Sequence, residues 1–525
     1  MPSSPKKSGA GAPARSLKDL DISGKVLEYI PQDSAVHYQV VPLAVTDGVL
    51  EVGAVDPNDL EARDALNFIS ARIGMPYKLF LISKEDFAAA LEKYNGLTGE
   101  VGQALSELDT ELAAEPGEEK GEVSKEDGAT IVEDAPVTKI VATILDYASE
   151  GNASDIHIEP RHDNVKVRFR VDGTLNTSLI LPLKVHSALV ARIKILTSSM
   201  RLDEKRKPQD GRFSAKMGDR KVDFRVSTFP TYYGEKVVMR ILDQSKGIRT
   251  LDDMGFSPEP LAVIRKAIKR PYGLILISGP TGSGKSTTLY AMLNEVDKEH
   301  SNVLSLEDPV EYSIDGVSQS QVQPEIDYTF ATGLRTTLRQ DPDIIMVGEI
   351  RDKETAQLAI QAALTGHLVF STIHTNNAIG IVPRLIDMGV DPYLIAPTLV
   401  LGMAQRLVRK LCPDGGKPLA VEDSLKLMID KQFEDLPEKF RKKLPFGKEV
   451  YEIIPTATCP TGTKGRVAVT EVFEMDKEIE AAVLKGANEQ ELFKVIRDKG
   501  MLSMKEDAIM KAFQKIVPFE EVNTL

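Results

Sequence analysis

The chain has 525 residues, of which 42% are hydrophobic and 27% are charged, and its formal net charge is −13. A single hydrophobic core stops growing near about 250 to 300 residues, so this length predicts three or more modules. No apolar run approaches the roughly 18 residues that span a bilayer, and the basic first residues are not followed by the apolar stretch of a signal peptide, so we expect a cytoplasmic protein that reaches a membrane only through partners.

The charge balance and the cysteine count narrow the classes of protein further. Nucleic-acid-binding proteins usually carry a basic stripe that displaces counterions from phosphates, and the absence of such a stripe from an acidic chain argues against nucleic acid as a partner. Cys412 and Cys459 are the only cysteines. Two cysteines fit a reducing compartment and exclude a disulfide framework.

The first 134 residues divide into three segments. Residues 1–20 are predicted to be a flexible tail. Residues 21–95 alternate the apolar strands "YQVVPLAV" and "GVLEVGAV" with a helical stretch, "DLEARDALNFISARIG", which predicts a small α/β domain. Residues 96–134 are rich in acid and poor in aromatic side chains. Such a segment cannot offset its ordering entropy by burial, so we expect a flexible acidic linker.

Two further α/β domains are predicted after the linker. In residues 135–247, the helical stretch "VTKIVATILDYASEG" is followed by "SDIHIEP", "NVKVRFRVDGT", "RKVDFRVSTFP" and "EKVVMRILD", whose alternation is typical of a partly exposed sheet. In residues 248–525, an apolar strand "GLILISG" precedes a glycine-rich turn, a helix and the strands "NVLSLED" and "DIIMVGE". That order predicts a doubly wound parallel sheet, followed by a helical stretch from "NEQELFKVIRDKGM" to the end.

The glycine-rich turn matches the P-loop pattern GxxxxGK[ST] at every position and lies between a strand and a helix. Its glycines let backbone N–H groups converge on phosphate oxygens, and the helix amino end adds a favourable dipole. We expect Lys285 to hold the β- and γ-phosphates and Ser286 to ligate Mg²⁺. The predicted ATP-binding residues are Gly279, Pro280, Thr281, Gly282, Ser283, Gly284, Lys285, Ser286 and Thr287.

Three other strands end in side chains suited to hydrolysis. Glu349 follows "IIMV" and is suited to holding a metal-bound water or to polarising the attacking one. Glu307 ends "NVLSLE" and is the candidate for orienting or activating that water, although an acidic turn after a strand also commonly caps a helix. His374 ends "GHLVFSTIH" and is a candidate γ-phosphate sensor, whereas a lone histidine of this kind is usually a satisfied neighbour of the core.

Seven fragments in order resemble the ATPases of type II secretion and type IV pilus assembly: "ASDIHIEP", "KPQDGRF", "GEKVVMR", "GPTGSGKSTTLY", "EDPVEY", "LRQDPDIIMVGEIRD" and "GHLVFSTIHTN". The resemblance includes the amino-terminal module, which the shorter retraction motors of the superfamily lack, and therefore indicates an assembly or secretion motor. It implies a RecA-like P-loop ATPase domain preceded by a PAS-like second domain, with Glu307, Glu349 and His374 in the catalytic site.

The resemblance also implies catalytic arginines and a ring. The matching positions are Arg225 and Arg240 in the second domain and Arg335 and Arg339 before the "DPD" strand. A guanidinium forks onto phosphate oxygens and neutralises charge that grows in the transition state, although each arginine taken alone could form a surface salt bridge. Members of the family form hexamers in which the second domain closes over a nucleotide. The implied partners are an inner-membrane platform protein and a cytoplasmic assembly protein, which residues 21–95 would dock.

The chain departs from relatives of this kind in two places. Many relatives bind zinc through two CxxC pairs in an excursion that corresponds to residues 410–466. Here Gly415 and Gly462 stand three residues after the two remaining cysteines, and no histidine follows His374, so we expect no zinc. Some relatives bind cyclic di-GMP through paired arginine- and glycine-containing helical motifs in the amino-terminal module. Those pairs are not found in residues 21–95, and whether cyclic di-GMP binds stays open.

Two other classes of protein share the P-loop. A small-molecule kinase would need an acceptor pocket and an arginine-rich lid, and phosphate release without a transferred phosphoryl group would argue against it. A nucleic-acid translocase would share the RecA-like core, but interleaved basic and aromatic residues are missing, and stimulation of hydrolysis by single-stranded DNA would favour it. The sequence leaves open whether a pilus or a secreted protein is the cargo, and which of Glu307 and Glu349 activates water.

Overall fold

A computed structural model describes three stretches of the chain. They are residues 24–92 with gaps at 28, 31–34, 37, 47, 58, 60–61, 64–65 and 67–74; residues 136–243 except 218–219; and residues 247–525 except 248, 455, 457–458 and 460. The predicted tail and acidic linker lie outside these residues, as does most of the helix expected from "DLEARDALNFISARIG". The chain divides into two compact units, Met1–Ser245 and Lys246–Leu525.

The first unit begins with a small α/β arrangement. It contains α1 (Gly24–Leu27), β1 (Val40–Thr46), β2 (Val49–Ala54), β3 (Tyr77–Leu81) and α2 (Lys84–Glu92). The strands form one sheet in chain order, with β1 antiparallel to β2 and β2 parallel to β3. Val41, Leu43 and Val52 belong to its buried core. The mixed α/β character expected for this part of the chain is confirmed.

The rest of the first unit is a six-stranded antiparallel sheet with two helices. The elements are α3 (Pro136–Glu150), β4 (Asp155–Pro160), β5 (Asn164–Val171), β6 (Thr174–Pro182), α4 (His186–Leu196), β7 (Gln209–Met217), β8 (Arg220–Thr231) and β9 (Gly234–Asp243). The strand order is β6-β5-β4-β9-β8-β7. Buried and partly exposed residues alternate along β5 and β8, so the sheet has one apolar and one polar face. Ile140 and Ile144 of α3 and Leu189 of α4 share the core with the apolar face.

The second unit is built on a seven-stranded sheet. Its strands are β10 (Gly273–Ser278), β11 (Val303–Glu307), β12 (Ser318–Gln321), β13 (Ile344–Val347), β14 (Leu368–Ile373), β15 (Leu399–Leu411) and β18 (Thr463–Glu474). The order is β12-β11-β13-β14-β10-β15-β18, and every neighbouring pair is parallel except β15 and β18. The predicted doubly wound sheet is therefore confirmed, with one antiparallel strand added at its edge.

Helices flank this sheet and end the chain. They are α5 (Pro258–Ala267), α6 (Lys285–Glu295), α7 (Phe330–Thr337), α8 (Lys353–Leu364), α9 (Ile381–Asp387), α10 (Pro392–Thr398), α11 (Asp423–Gln432), α12 (Glu438–Arg441), α13 (Lys477–Leu484), α14 (Glu489–Arg497), α15 (Met504–Phe513) and α16 (Phe519–Val522). Side-chain oxygens cap several of them, as Asn488 and Ser503 do at α14 and α15 in reciprocal capping boxes. Across the described stretches, no helix combines the length and the apolar character needed to cross a bilayer.

The excursion between β15 and β18 corrects one expectation. It contains α11, α12 and a two-stranded sheet of β16 (Lys417–Ala420) and β17 (Glu449–Glu452). Cys412, directly after β15, forms a disulfide with Cys459, which comes shortly before β18 begins at Thr463, and their Cα atoms are 6.5 Å apart. The expectation that two cysteines exclude a disulfide framework is wrong, because the ladder between β15 and β18 closes the excursion and brings its two ends together.

Candidate active site

The P-loop joins the buried strand β10 to helix α6, which begins at Lys285. Gly279, Gly282 and Gly284 have φ angles of 142°, 79° and 88°, a region that favours glycine. A Cβ at Gly279 would lie 2.4 Å from the backbone oxygen of Gln405, so close packing also requires glycine there. The first N–H groups of an α-helix have no intrahelical acceptor, and this loop therefore leaves them available to phosphate oxygens.

Lys285 turns back over the loop. Its Nζ donates hydrogen bonds to the carbonyl oxygens of Gly279, at 2.7 Å, and Pro280, at 3.1 Å. Burial lowers the pKa of Lys285, whereas the negative charge of Glu349 acts to raise it. The next residue, Ser286, is exposed on the first turn of α6. An ammonium that contacts loop carbonyls and a hydroxyl at a helix amino end fit a bound triphosphate and its Mg²⁺.

The predicted hydrolytic side chains follow neighbouring strands. In the sheet, β10 lies beside β14, β14 beside β13, and β13 beside β11, all parallel. Parallel strands end at the same edge, so the P-loop, His374, Glu349 and Glu307 are brought to one carboxyl edge. This placement is the one that the order of motifs predicts. The chemical role of each side chain stays a prediction.

Glu349 lies two residues beyond β13 among cationic partners. Its Oε2 lies 3.2 Å from Nε2 of His374, and its Oε1 pairs with the guanidinium of Arg351. Burial acts to raise the pKa of Glu349, but the hydrogen bond and charge of Arg351, with those of His374, outweigh it, and the pKa is lowered. The carboxylate therefore stays ionised and joins the ends of β13 and β14. Arg351 was not among the residues expected from the sequence.

Glu307 has neutral partners instead. It is the last residue of β11, with 4% of its surface exposed. Its Oε1 accepts hydrogen bonds from Oγ of Ser305, at 2.6 Å, and from Nε2 of Gln319, at 2.9 Å, while the hydroxyl of Tyr290 on α6 donates to its Oε2. Burial, then the charge of Glu307, raises the pKa of Tyr290. This network links the acidic turn to the helix that the P-loop opens.

The loop after β14 is fixed from two sides. The hydroxyl of Ser278, at the end of β10, donates to the carbonyl oxygen of Thr375 at 2.8 Å. On the other side, Oε2 of Glu471 accepts the backbone N–H of Ala378 at 2.9 Å. Burial raises the pKa of Glu471, and the hydrogen bonds it accepts act against that. His374, with 48% of its side chain exposed, is therefore carried by a firmly held backbone.

The two arginines expected from the region before β13 lie at the surface. Arg335, on α7, forms an ion pair with Glu354 on α8, and its side chain is 49% exposed. Arg339 follows α7 and is also exposed. A surface ion pair of this kind contributes about 0 to 1 kcal/mol to stability, so Arg335 can leave Glu354 for a stronger anion. Their contact with nucleotide stays a prediction.

Arg225 and Arg240 lie in the first unit, within one row across the six-stranded sheet. Arg212 on β7 stands opposite Arg225 on β8, and Arg225 stands opposite Arg240 on β9. The row continues to Asp155 on β4, whose Oδ1 is 3.3 Å from Nε of Arg240. Like charges directly opposite each other destabilise a sheet. The row therefore places three guanidinium groups on neighbouring strands, and of the three only Arg225 and Arg240 were expected from the motifs.

A parallel sheet with a P-loop, two glutamates and a histidine at its carboxyl edge defines a P-loop nucleoside triphosphatase of RecA-like fold. The chain belongs to the family described as Type II/IV secretion system protein, which matches residues 130–524. A second description, MshEN domain, matches residues 10–101. The resemblance drawn from the motifs is confirmed.

Named relatives include both branches of this family. The chain is 40% identical over 520 residues to the type IV pilus assembly ATPase PilB of Myxococcus xanthus, covering 98% of this chain and 88% of that protein. It is 42% identical over 458 residues to the type II secretion system ATPase E of Vibrio cholerae, covering 85% and 86%. The X-ray structure of the ATPase DotB of Legionella pneumophila superposes with a TM-score of 0.53 at 23% identity, covering 76% of this chain and 97% of that one, and supports the fold.

Proposed function

We propose that this chain hydrolyses ATP to power either the assembly of a type IV pilus or the export of proteins by a type II secretion system. The observation that carries the proposal is the common sheet edge of the P-loop, Glu307, Glu349 and His374. The names of the relatives, one a pilus assembly ATPase and one a secretion ATPase, support both cargoes equally.

Nucleotide binding begins at the P-loop. Lys285 exchanges the carbonyl oxygens of Gly279 and Pro280 for phosphate oxygens, and the N–H groups of the first turn of α6 bind the same phosphates. Ser286 and a water held by Glu349 are the groups that would hold Mg²⁺, which neutralises phosphate charge when bound. A magnesium site of this type needs no cluster of acidic ligands, and none was found among the described residues.

The two glutamates have different partners, and this difference supports different roles for them. Arg351 and His374 lower the pKa of Glu349, which makes that carboxylate a weak base and a good anchor. Among the described residues, the side-chain donors to the carboxylate of Glu307 are the neutral groups of Tyr290, Ser305 and Gln319, and releasing one of them frees an oxygen for the attacking water. We therefore assign water activation to Glu307. His374, bonded to Glu349, reports the loss of the γ-phosphate.

Charge that develops on the phosphates is neutralised by arginines from two sources. Arg335 on α7 and Arg339 just after it belong to the second unit, and Arg225 and Arg240 belong to the first unit. An arginine supplied in trans raises the rate by about 10³ to 10⁵ and couples hydrolysis to the geometry between neighbours. The working form is a homohexamer in which the first unit of a subunit closes over a nucleotide. That closure displaces an inner-membrane platform protein, with the amino-terminal α/β module docked to a cytoplasmic assembly protein.

Phosphate release by the purified full-length chain tests the proposal. The wild type should release inorganic phosphate from ATP, and Lys285→Ala should reduce that rate at least ~100-fold because the β- and γ-phosphates lose their cation. Lys266→Ala is the matched control, since Lys266 pairs with Glu474 at the surface of the same unit. Phosphoryl transfer to a small acceptor without phosphate release, or strong stimulation by single-stranded DNA, would contradict the proposal.

ATP-dependent copurification with a platform protein, followed by separate assays for pili and for secreted protein, identifies the cargo.

A further inference from the structure

Gln405 is a fully buried polar residue beside the P-loop. It lies in the middle of β15, the strand that flanks β10 on the side away from β14. Ala404 is in register with Ser278, the last residue of β10, so Gln405 stands one position further, beside the first residue of the P-loop. A buried amide costs stability unless each of its polar groups is bonded.

The side chain of Gln405 bridges the loop and the helix that follows. Its Nε2 donates to the carbonyl oxygen of Ser283 at 2.8 Å, and its Oε1 accepts from the hydroxyl of Thr288 on α6 at 2.8 Å. The Ser283 carbonyl can only accept a hydrogen bond, so the amide nitrogen has to face the loop. This contact fixes the orientation of the amide.

The loop is shaped around this side chain. A Cβ at Gly284 would lie 2.8 Å from Nε2 of Gln405, so the bridge passes directly against the last glycine of the P-loop. In a trans peptide the carbonyl and the following N–H point in opposite directions. Holding the Ser283 carbonyl toward Gln405 therefore turns the N–H of Gly284 away from β15, toward the side where phosphate binds.

We infer that Gln405 is a positioning residue of the nucleotide site, which orients the Ser283–Gly284 peptide so that the Gly284 N–H is preset for a phosphate oxygen. The inference rests on the proposed nucleotide binding. We expect an effect on nucleotide binding and not on the hydrolysis step, because the side-chain hydrogen bonds of Gln405 are to Ser283 and Thr288. Preset donors bind an anion more tightly since no reorganisation is needed on binding.

Two variants that both lose the hydrogen bond between Gln405 and Thr288 separate this positioning role from simple packing. Gln405→Met and Thr288→Val both remove the contact between Gln405 and Thr288, but only Gln405→Met also removes the contact with Ser283. We expect Gln405→Met to weaken binding of a fluorescent ADP about tenfold, and Thr288→Val to weaken it less than about threefold.

Thermal unfolding of the nucleotide-free proteins provides the folding control. Comparable midpoints for Gln405→Met and Thr288→Val, with the difference confined to nucleotide affinity, support the positioning role. Gln405→Met with wild-type affinity, or Thr288→Val with as large a loss as Gln405→Met, would overturn it. If the wild type binds the nucleotide but releases no phosphate, the proposed function fails. Weaker nucleotide binding by Gln405→Met would still support this inference in that case.

Discussion

The six-stranded sheet of the first unit and the seven-stranded sheet of the second unit present their functional side chains in different ways. In the first, Arg212, Arg225 and Arg240 lie within strands, on the polar face of an antiparallel sheet. In the second, β10, β13 and β14 are buried along their whole length, and the P-loop, Glu349 and His374 come only after these strands end. An antiparallel sheet can leave one face to solvent, whereas a parallel sheet covered on both faces exposes only its edges.

The two sheets therefore hold their functional side chains in place by different means. Strand register fixes the spacing of the arginines in the row, so they present one charged surface. The side chains at the carboxyl edge are held by separate loops, each tied to its neighbour by a hydrogen bond, such as the one from Ser278 to Thr375. We expect substitutions at the edge to affect chemistry at one residue, and substitutions in the row to affect a shared function.

The largest expected effect in this comparison is at the edge. Glu307→Gln keeps the size of the side chain and can keep its contact with Tyr290, but it removes the base that we assign to the attacking water. We expect kcat to fall by about 10³ with ATP affinity retained, because general base catalysis contributes about 10² to 10⁴. Single-turnover kinetics with radiolabelled ATP measure both quantities. Glu299→Gln, an exposed acid in the same unit, is the control, and normal turnover by Glu307→Gln would remove Glu307 from this role.

The arginine row should show the next largest effect. Replacing Arg225 and Arg240 by Ala should lower kcat by about 10² while leaving nucleotide affinity of the second unit nearly unchanged. Removing like charges that stand opposite each other stabilises the sheet, whereas losing the ion pair between Arg240 and Asp155 destabilises it, so the thermal midpoint of the first unit should change little. Steady-state phosphate release and calorimetry check the two parts.

A matched control for the arginine pair is Arg201→Ala, since Arg201 is 73% exposed and paired with Asp203 in the same unit. Single substitutions in the row should each produce most of the loss if the row acts as one surface. Full turnover by the double variant, as a monomer, would contradict both the arginine roles and the ring.

Much of this comparison was predictable from the sequence. The alternation in "NVKVRFRV" and "RKVDFRVSTFP" indicated a sheet with one polar face, and the motif order brought the P-loop, Glu349 and His374 to one edge because parallel strands share an edge. The P-loop pattern is local, so no long-range information was needed to find it. Those parts depend on residues that are close in sequence or on a simple rule of topology.

Other parts depend on pairing between distant residues, which periodicity does not encode. Gln405 stands with Arg406 in the otherwise apolar run "LVLGMAQRLV", and this contrast was its only signal. The pairing of Cys412 with Cys459 follows from the ladder between β15 and β18, across an excursion of 47 residues. Strand β7, "QDGRFSAKM", has few large apolar residues, so its place beside β8 was not expected, nor was the third arginine of the row.

A smaller effect should appear in the pH dependence of the edge. The pKa of Glu349 is below its usual value of 4.5, so the stability of its ion pairs is present above pH 4.5 and is lost as the pH falls through the lowered pKa. Arg351→Ala removes the guanidinium that stabilises the ionised carboxylate of Glu349. Only His374 then acts against burial, which raises the pKa of Glu349. We expect the acid limb of kcat/KM to move to higher pH. Lys353→Ala is the neighbouring control, and an unmoved acid limb would show that Arg351 does not set the charge state of Glu349.

The smallest effect on hydrolysis is expected at the disulfide between Cys412 and Cys459, which follows the far end of β15. Cys412 is seven residues past Gln405 along β15, roughly 23 Å at 3.3 Å per residue, so its disulfide should act on stability alone. Cys412→Ser should lower the thermal midpoint of the second unit by about 5 °C and change phosphate release less than about twofold. Cys459→Ser and the reduced wild type should behave identically, because each breaks the same bond that closes the excursion. A midpoint that is insensitive to reductant in the wild type would mean that the bond does not form in solution, and the ladder between β15 and β18 would then hold the excursion without it.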